Sequence, residues 1–118
     1  MNQAKNIPHT SGKWNMFLDD IRVPAYVDPT KNVQWVLCRN LYDAVSMCAR
    51  FGMPGFISFD YDLGPNEDSM MFLRWLANDF FIEGKHNIPR YQIHSANPCG
   101  ALNIDSFMKS WKKSIQPA

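Results

Sequence analysis

Apolar residues fall in four short runs, and three of these stop abruptly at polar groups capable of chemistry. Met16-Phe17-Leu18 runs into Asp19-Asp20, Phe56-Ile57-Ser58-Phe59 into Asp60 and Asp62, and Tyr91-Gln92-Ile93 into His94-Ser95. Runs of this length bounded by turn residues predict buried strands whose last residues emerge at a sheet edge. Val33 to Cys38 predicts a further strand, and Ile21 to Lys31, with Pro24, Asp28, Pro29 and Thr30, predicts a long loop. Elsewhere the spacing turns helical. Asn40 can cap a helix over 41–51 that Gly52 and Pro54 stop, and Asn66 a second that reaches Gly84 with Met70, Leu73, Leu76, Ala77 and Phe80 inward. Asn97 can cap a third helix that Pro98 opens. Residues 1–13 show no periodicity and predict a loose arm ahead of one domain spanning 14–118.

This order predicts an α/β three-layer sandwich with a mainly parallel sheet of about four strands and three main helices, because right-handed crossovers lay helices over sheet faces. Open sheets of that kind bind ligands beyond the carboxyl ends of their strands. Asp19, Asp20, Asp60, Asp62, His94 and Ser95 all fall at such ends. Carboxylates brought together there repel unless a cation joins them, and Arg22 is the only basic residue close in sequence. A divalent metal, Mg²⁺ or Mn²⁺, resolves the conflict and suits a phosphate substrate. The plainer alternative is that Asp19 or Asp62 caps a loop and Arg22 pairs with an acid.

His94, between a strand and a capped helix start, is expected beside free backbone N–H groups that favour an anion, as a candidate general acid or base. Ser95 and Asn97 are candidate hydrogen-bond donors to the same phosphate, and Gly100 would allow close backbone approach. Tyr61 has two open readings: a ring that stacks on a base or supplies a phenolic proton, and a wedge that closes the loop. His9 and His86 are given no role.

Composition narrows the partners. The 118 residues are 46% hydrophobic and carry twelve Lys and Arg against eleven Asp and Glu, a net charge of +1, so a core is available and a broad grip on nucleic acid is not expected. No apolar run approaches the roughly 20 residues of a membrane helix, and the first residues lack a signal-like core. Cys38, Cys48 and Cys99 make neither a paired framework nor a zinc spacing, which favours a reducing cytoplasm.

Phe17-Leu18-Asp19-Asp20-Ile21-Arg22, Ser58-Phe59-Asp60-Tyr61-Asp62-Leu63-Gly64 and Ile93-His94-Ser95-Ala96-Asn97-Pro98 together resemble the cyclic-phosphate-processing receiver-like family of bacteria and phages. The resemblance covers roughly residues 15 to 113. It implies a flavodoxin-like sheet and a role in processing cyclic phosphates or related nucleotides. By the resemblance to receivers, Asp19 and Asp20 match their acid pair, Asp60 their third-strand acid and Ser95 their hydroxyl position. The receiver lysine has no clear counterpart, which disfavours phosphorelay. Tyr61 stands where members of the cyclic-phosphate family usually carry His, so two-histidine chemistry is not available and the case for binding without turnover rises.

The resulting expectation is a metal-assisted phosphoesterase acting on a cyclic phosphate or nucleotide-derived phosphoester. Asp19, Asp20 and Asp60 would hold the metal, Arg22, Tyr61, Ser95 and Asn97 the substrate, and His94, Asp60 and Asp62 would carry the chemistry. The alternative is a non-catalytic module that binds a nucleotide or a partner protein, as in phage and host conflict.

Overall fold

A computed structural model describes residues 14–115; the arm expected over 1–13 and the last residues of the 14–118 domain lie outside the described residues. Four strands, β1 (Asn15–Leu18), β2 (Trp35–Cys38), β3 (Phe56–Phe59) and β4 (Arg90–Ile93), form one parallel sheet in the order β2-β1-β3-β4. Three helices, α1 (Leu41–Phe51), α2 (Ser69–Trp75) and α3 (Pro98–Ser114), complete a receiver-like, flavodoxin-like α/β fold.

Local sequence sets most element ends. The Asn40 side chain accepts from Asp43 N–H to start α1, which ends at Gly52, φ 87°, where glycine alone turns the chain without a Cβ clash. Asn97 accepts from Gly100 N–H and Pro98 supplies a ready-made first-turn φ for α3. The cap of α2 is Asp68 rather than the expected Asn66, and α2 passes into a π-helical turn, Leu76–Phe80, instead of running on to Gly84. Two tertiary contacts explain the later start. Asp62 and Asp68 pair across the loop, and Glu67 turns its carboxylate to Leu41 N–H at 2.9 Å.

Strand alternation divides the sheet into two unlike faces. Met16, Leu18, Val36, Cys38, Ile57 and Phe59 enter one core with Ala44 and Cys48 of α1, Phe72 and Leu73 of α2, and Ile104, Met108 and Trp111 of α3. Each large side chain buried there contributes about 1.5–3 kcal/mol. All three helices therefore share one face. The β1-to-β2 connection runs back across the sheet in the opposite direction and has only a 3₁₀ turn, Pro24–Tyr26, so the third layer of the expected sandwich consists of a loop. Phe17, fully buried but outside the helical core, lies on this loop-covered side and packs on Trp35 and His94.

Cys38 and Cys48 are buried free thiols; burial, together with the nearby Asp43, pushes Cys38 up to about 12. No helix among the described residues is long and apolar enough to cross a membrane.

Candidate functional site

The ladder hydrogen bonds extend one residue past the strands and bring their carboxyl ends into line. Asp19 N–H donates to Cys38 O, Asp60 N–H to Leu18 O and His94 N–H to Phe59 O, at 3.0, 2.9 and 2.8 Å. Parallel register thus fixes Asp19, Asp60 and His94 at one edge. Asp19, Asp20 and Asp60 each place a carboxylate oxygen so that the three lie within 4.8 Å of one another. They line a pocket of about 280 Å³ together with Arg22, Asp62 and Ser95. A larger hollow, about 910 Å³, carries Lys85, His86 and Arg90 and, among the described residues, no acid and no lining residue in common with this pocket.

Asp19 is held most firmly. Its Oδ1 accepts from Ile21 N–H at 2.9 Å and Arg22 N–H at 2.8 Å, and its Oδ2 from His94 Nε2 at 2.9 Å. Burial opposes its charge, but these donors outweigh burial and hold its pKa below the ordinary 3.8. Asp60 moves the other way. Burial, reinforced by the charge of Asp19, raises its pKa, although Tyr61 N–H and the Ser95 side chain hydrogen-bond to it. Arg22 Nη1 stands 3.7 Å from Asp19 and 3.9 Å from Asp60, with its guanidinium over the Tyr26 ring at 4.6 Å. Among the described residues one guanidinium stands among these acids, and it leaves their charge largely uncompensated.

The remaining candidates separate. Asp62 is exposed at the rim, outside the three-oxygen cluster, and accepts from Asn97 Nδ2 at 3.3 Å. Asn97 also caps α3, so its amide is committed at both ends. Ser95 lies in the pocket beside Asp60.

Of the two readings of Tyr61 the wedge fits: its ring lies outside the pocket that Arg22 and Ser95 line and covers Gly100, where a Cβ would overlap it. The close approach that Gly100 permits is therefore that of Tyr61, not of a phosphate. His94 departs from the expectation of a pocket-lining acid or base. Its side chain is only 4% exposed, stacks on Phe17 at 4.7 Å, and touches the site through Asp19 instead of lining the pocket.

Sequence reasoning missed the support beneath His94. Ser58 Oγ lies 2.8 Å from His94 Nδ1, and Gln92 Nε2 donates to Ser58 Oγ at 2.9 Å. Register carries the signal: Phe17 pairs with Ser58 and Ser58 with Gln92, which puts these side chains side by side on the loop-covered face. Arg39 was also missed; its Nη1 donates to the carbonyls of Asp19 and Arg22 and pins the loop that carries the acids.

The family model of the cyclic-phosphate processing Receiver domain matches residues 14–110. The chain belongs to this family. The match spans every strand and all but the end of α3, so these receiver-like strand ends belong to a cyclic-phosphate processing domain. No curated protein matches the chain at a significant level. Among the described residues no lysine lines the acidic pocket.

Three converging carboxylates in a pocket with one guanidinium fit a hard divalent cation such as Mg²⁺ or Mn²⁺, which takes oxygen ligands from one or two carboxylates, water and substrate phosphate.

Proposed function

We propose that the strand-end pocket of this cyclic-phosphate processing receiver domain binds and hydrolyses a cyclic phosphate or nucleotide-derived phosphoester with a divalent cation. The convergence of the Asp19, Asp20 and Asp60 oxygens within 4.8 Å carries this reading, because a phosphate would be repelled by such a cluster alone. Asp19, Asp20 and Asp60 would hold Mg²⁺ or Mn²⁺, which supplies Lewis-acid polarisation of a phosphoryl oxygen.

The chain's own groups do the rest. Arg22, 30% exposed beside the acids, pairs with a non-bridging oxygen, and the Ser95 hydroxyl donates to another. Asp62 at the rim accepts the proton of a water that attacks phosphorus, while the opposite ester P–O bond breaks and the released oxygen takes up a proton from solvent. His94 does not line the pocket and serves by orienting Asp19.

Incubation with a panel of 2′,3′- and 3′,5′-cyclic nucleotides and Mg²⁺ or Mn²⁺ tests the reading. Turnover of at least one member is expected, falling by about a hundredfold or more in Asp60→Asn, on the scale of losing a group that stabilises developing charge. No turnover across the panel with ligand binding intact would leave the second reading, a module that holds its ligand unaltered. The burial of the His94 side chain, which leaves the pocket lining without an imidazole among the described residues, favours that alternative.

A further inference from the structure

Behind the acidic pocket, four side chains form a hydrogen-bonded line across three strands: Gln92, Ser58, His94 and Asp19, with successive distances of 2.9, 2.8 and 2.9 Å. Ser58 is fully buried, and the His94 and Asp19 side chains are 4% and 1% exposed. Donors and acceptors along it can be assigned one after another. The Asp19 carboxylate only accepts, so His94 Nε2 bears a hydrogen. The Gln92 amide nitrogen only donates, so it gives a hydrogen to Ser58 Oγ. Of the two partners of Ser58, only His94 Nδ1 can take its hydroxyl hydrogen, and Nδ1 is then a bare acceptor.

We propose that Gln92 and Ser58 are positioning residues that fix His94 in the Nε2–H tautomer and thereby aim Asp19 into the pocket. Three N–H donors hold the Asp19 carboxylate, two on Oδ1 and one on Oδ2, with Arg22 Nη1 3.7 Å from Oδ2, and so orient the group that places an oxygen within 4.8 Å of those of Asp20 and Asp60. The opposite tautomer would set a lone pair of His94 against that oxygen. Partners of this kind behind a metal ligand tune affinity by about ten- to a hundredfold. The inference rests on the reading of the pocket as a cation site.

Gln92→Glu tests it. Residue 92 is exposed, so an isosteric change there leaves the core intact. A carboxylate accepts the Ser58 hydrogen, Ser58 Oγ then turns a lone pair to His94 Nδ1, and Nδ1 must carry a hydrogen. In ¹⁵N spectra of the imidazoles, wild type is expected to show a pyridine-like Nδ1 and a pyrrole-like Nε2 for His94, and Gln92→Glu a protonated Nδ1. Mn²⁺ affinity, followed by loss of the free-ion resonance signal, should fall about tenfold or more. The added negative charge alone would strengthen cation binding, so a fall reports the hydrogen-bond line. Gln92→Met, which neither donates nor accepts a strong hydrogen bond, frees Ser58 Oγ to donate to or accept from His94 Nδ1 and should lose less Mn²⁺ affinity than Gln92→Glu.

A protonated Nδ1 in wild type overturns the proposal, as does unchanged Mn²⁺ affinity in Gln92→Glu or an equal loss in Gln92→Met. Failure of wild type to bind Mn²⁺ overturns the cation reading itself, and with it this role for Asp19.

Discussion

Asp19 and Asp60 are neighbours, yet the fold drives their ionisation in opposite directions. Asp60 has a raised pKa, from burial first and the Asp19 charge second, so the folded state keeps its proton to a higher pH than the unfolded chain. Its contribution to stability is therefore lost as pH rises from the ordinary 3.8 through the raised folded value. Asp19, with its lowered pKa, stabilises above 3.8 and loses that contribution as pH falls through its own folded value. Asp60→Asn should accordingly raise stability at neutral pH in chelator-treated buffer by roughly 0.5–2 kcal/mol, with the gain shrinking toward pH 3.8. Urea unfolding at the two pH values checks this; a less stable variant at neutral pH contradicts it. His94→Ala should behave differently. It opens a void against Phe17 and deprives Ser58 and Asp19 of a partner, for a loss of roughly 2–4 kcal/mol. The sequence alone leads to the expectation of little change, because a polar residue after a strand reads as exposed; a loss within about 0.5 kcal/mol would restore that view.

Among the elements, the Tyr61–Gly100 contact joins the end of β3 to the first turn of α3. Gly100→Ala is expected to destabilise by about 1–3 kcal/mol, as overpacking does, and the penalty should largely vanish in a Tyr61→Ala background. A double-mutant cycle with additive terms would show that the ring is not what Gly100 accommodates. Asn97→Ala should cost about 1 kcal/mol through the α3 cap. Element placement was legible wherever local chemistry decides it. Phe56–Phe59, the Asn40 cap and the Asn97-Pro98 start are short-range signals, and the observed elements follow them. The start of α2 was not legible because the Asp62–Asp68 pairing and the Glu67 contact with Leu41 are tertiary, and the π-helical turn at Leu76–Phe80 has no marker in a stripe of apolar residues.

At the scale of the molecule, the sheet carries an acidic pocket at the carboxyl ends of its strands, three helices on one face and a loop on the other. The strand-end rule brought Asp19, Asp20, Asp60, Asp62 and Ser95 to one pocket from sequence. It could not tell which way each side chain turns once the strand has ended. Tyr61 and His94 left the pocket for that reason: one was claimed by the helical side at Gly100, the other by Phe17 and Ser58 on the loop side. Titration of wild-type protein with Mn²⁺, read by paramagnetic broadening of backbone amide resonances, tests the central claim most directly. Broadening should centre on Asp19, Asp20, Arg22, Asp60 and Ser95, spare Gly55 and Arg90 at the far end of the sheet, and weaken strongly in Asp60→Asn. Broadening spread over other surface acids such as Asp79 and Glu83, or unaltered in Asp60→Asn, would contradict the account.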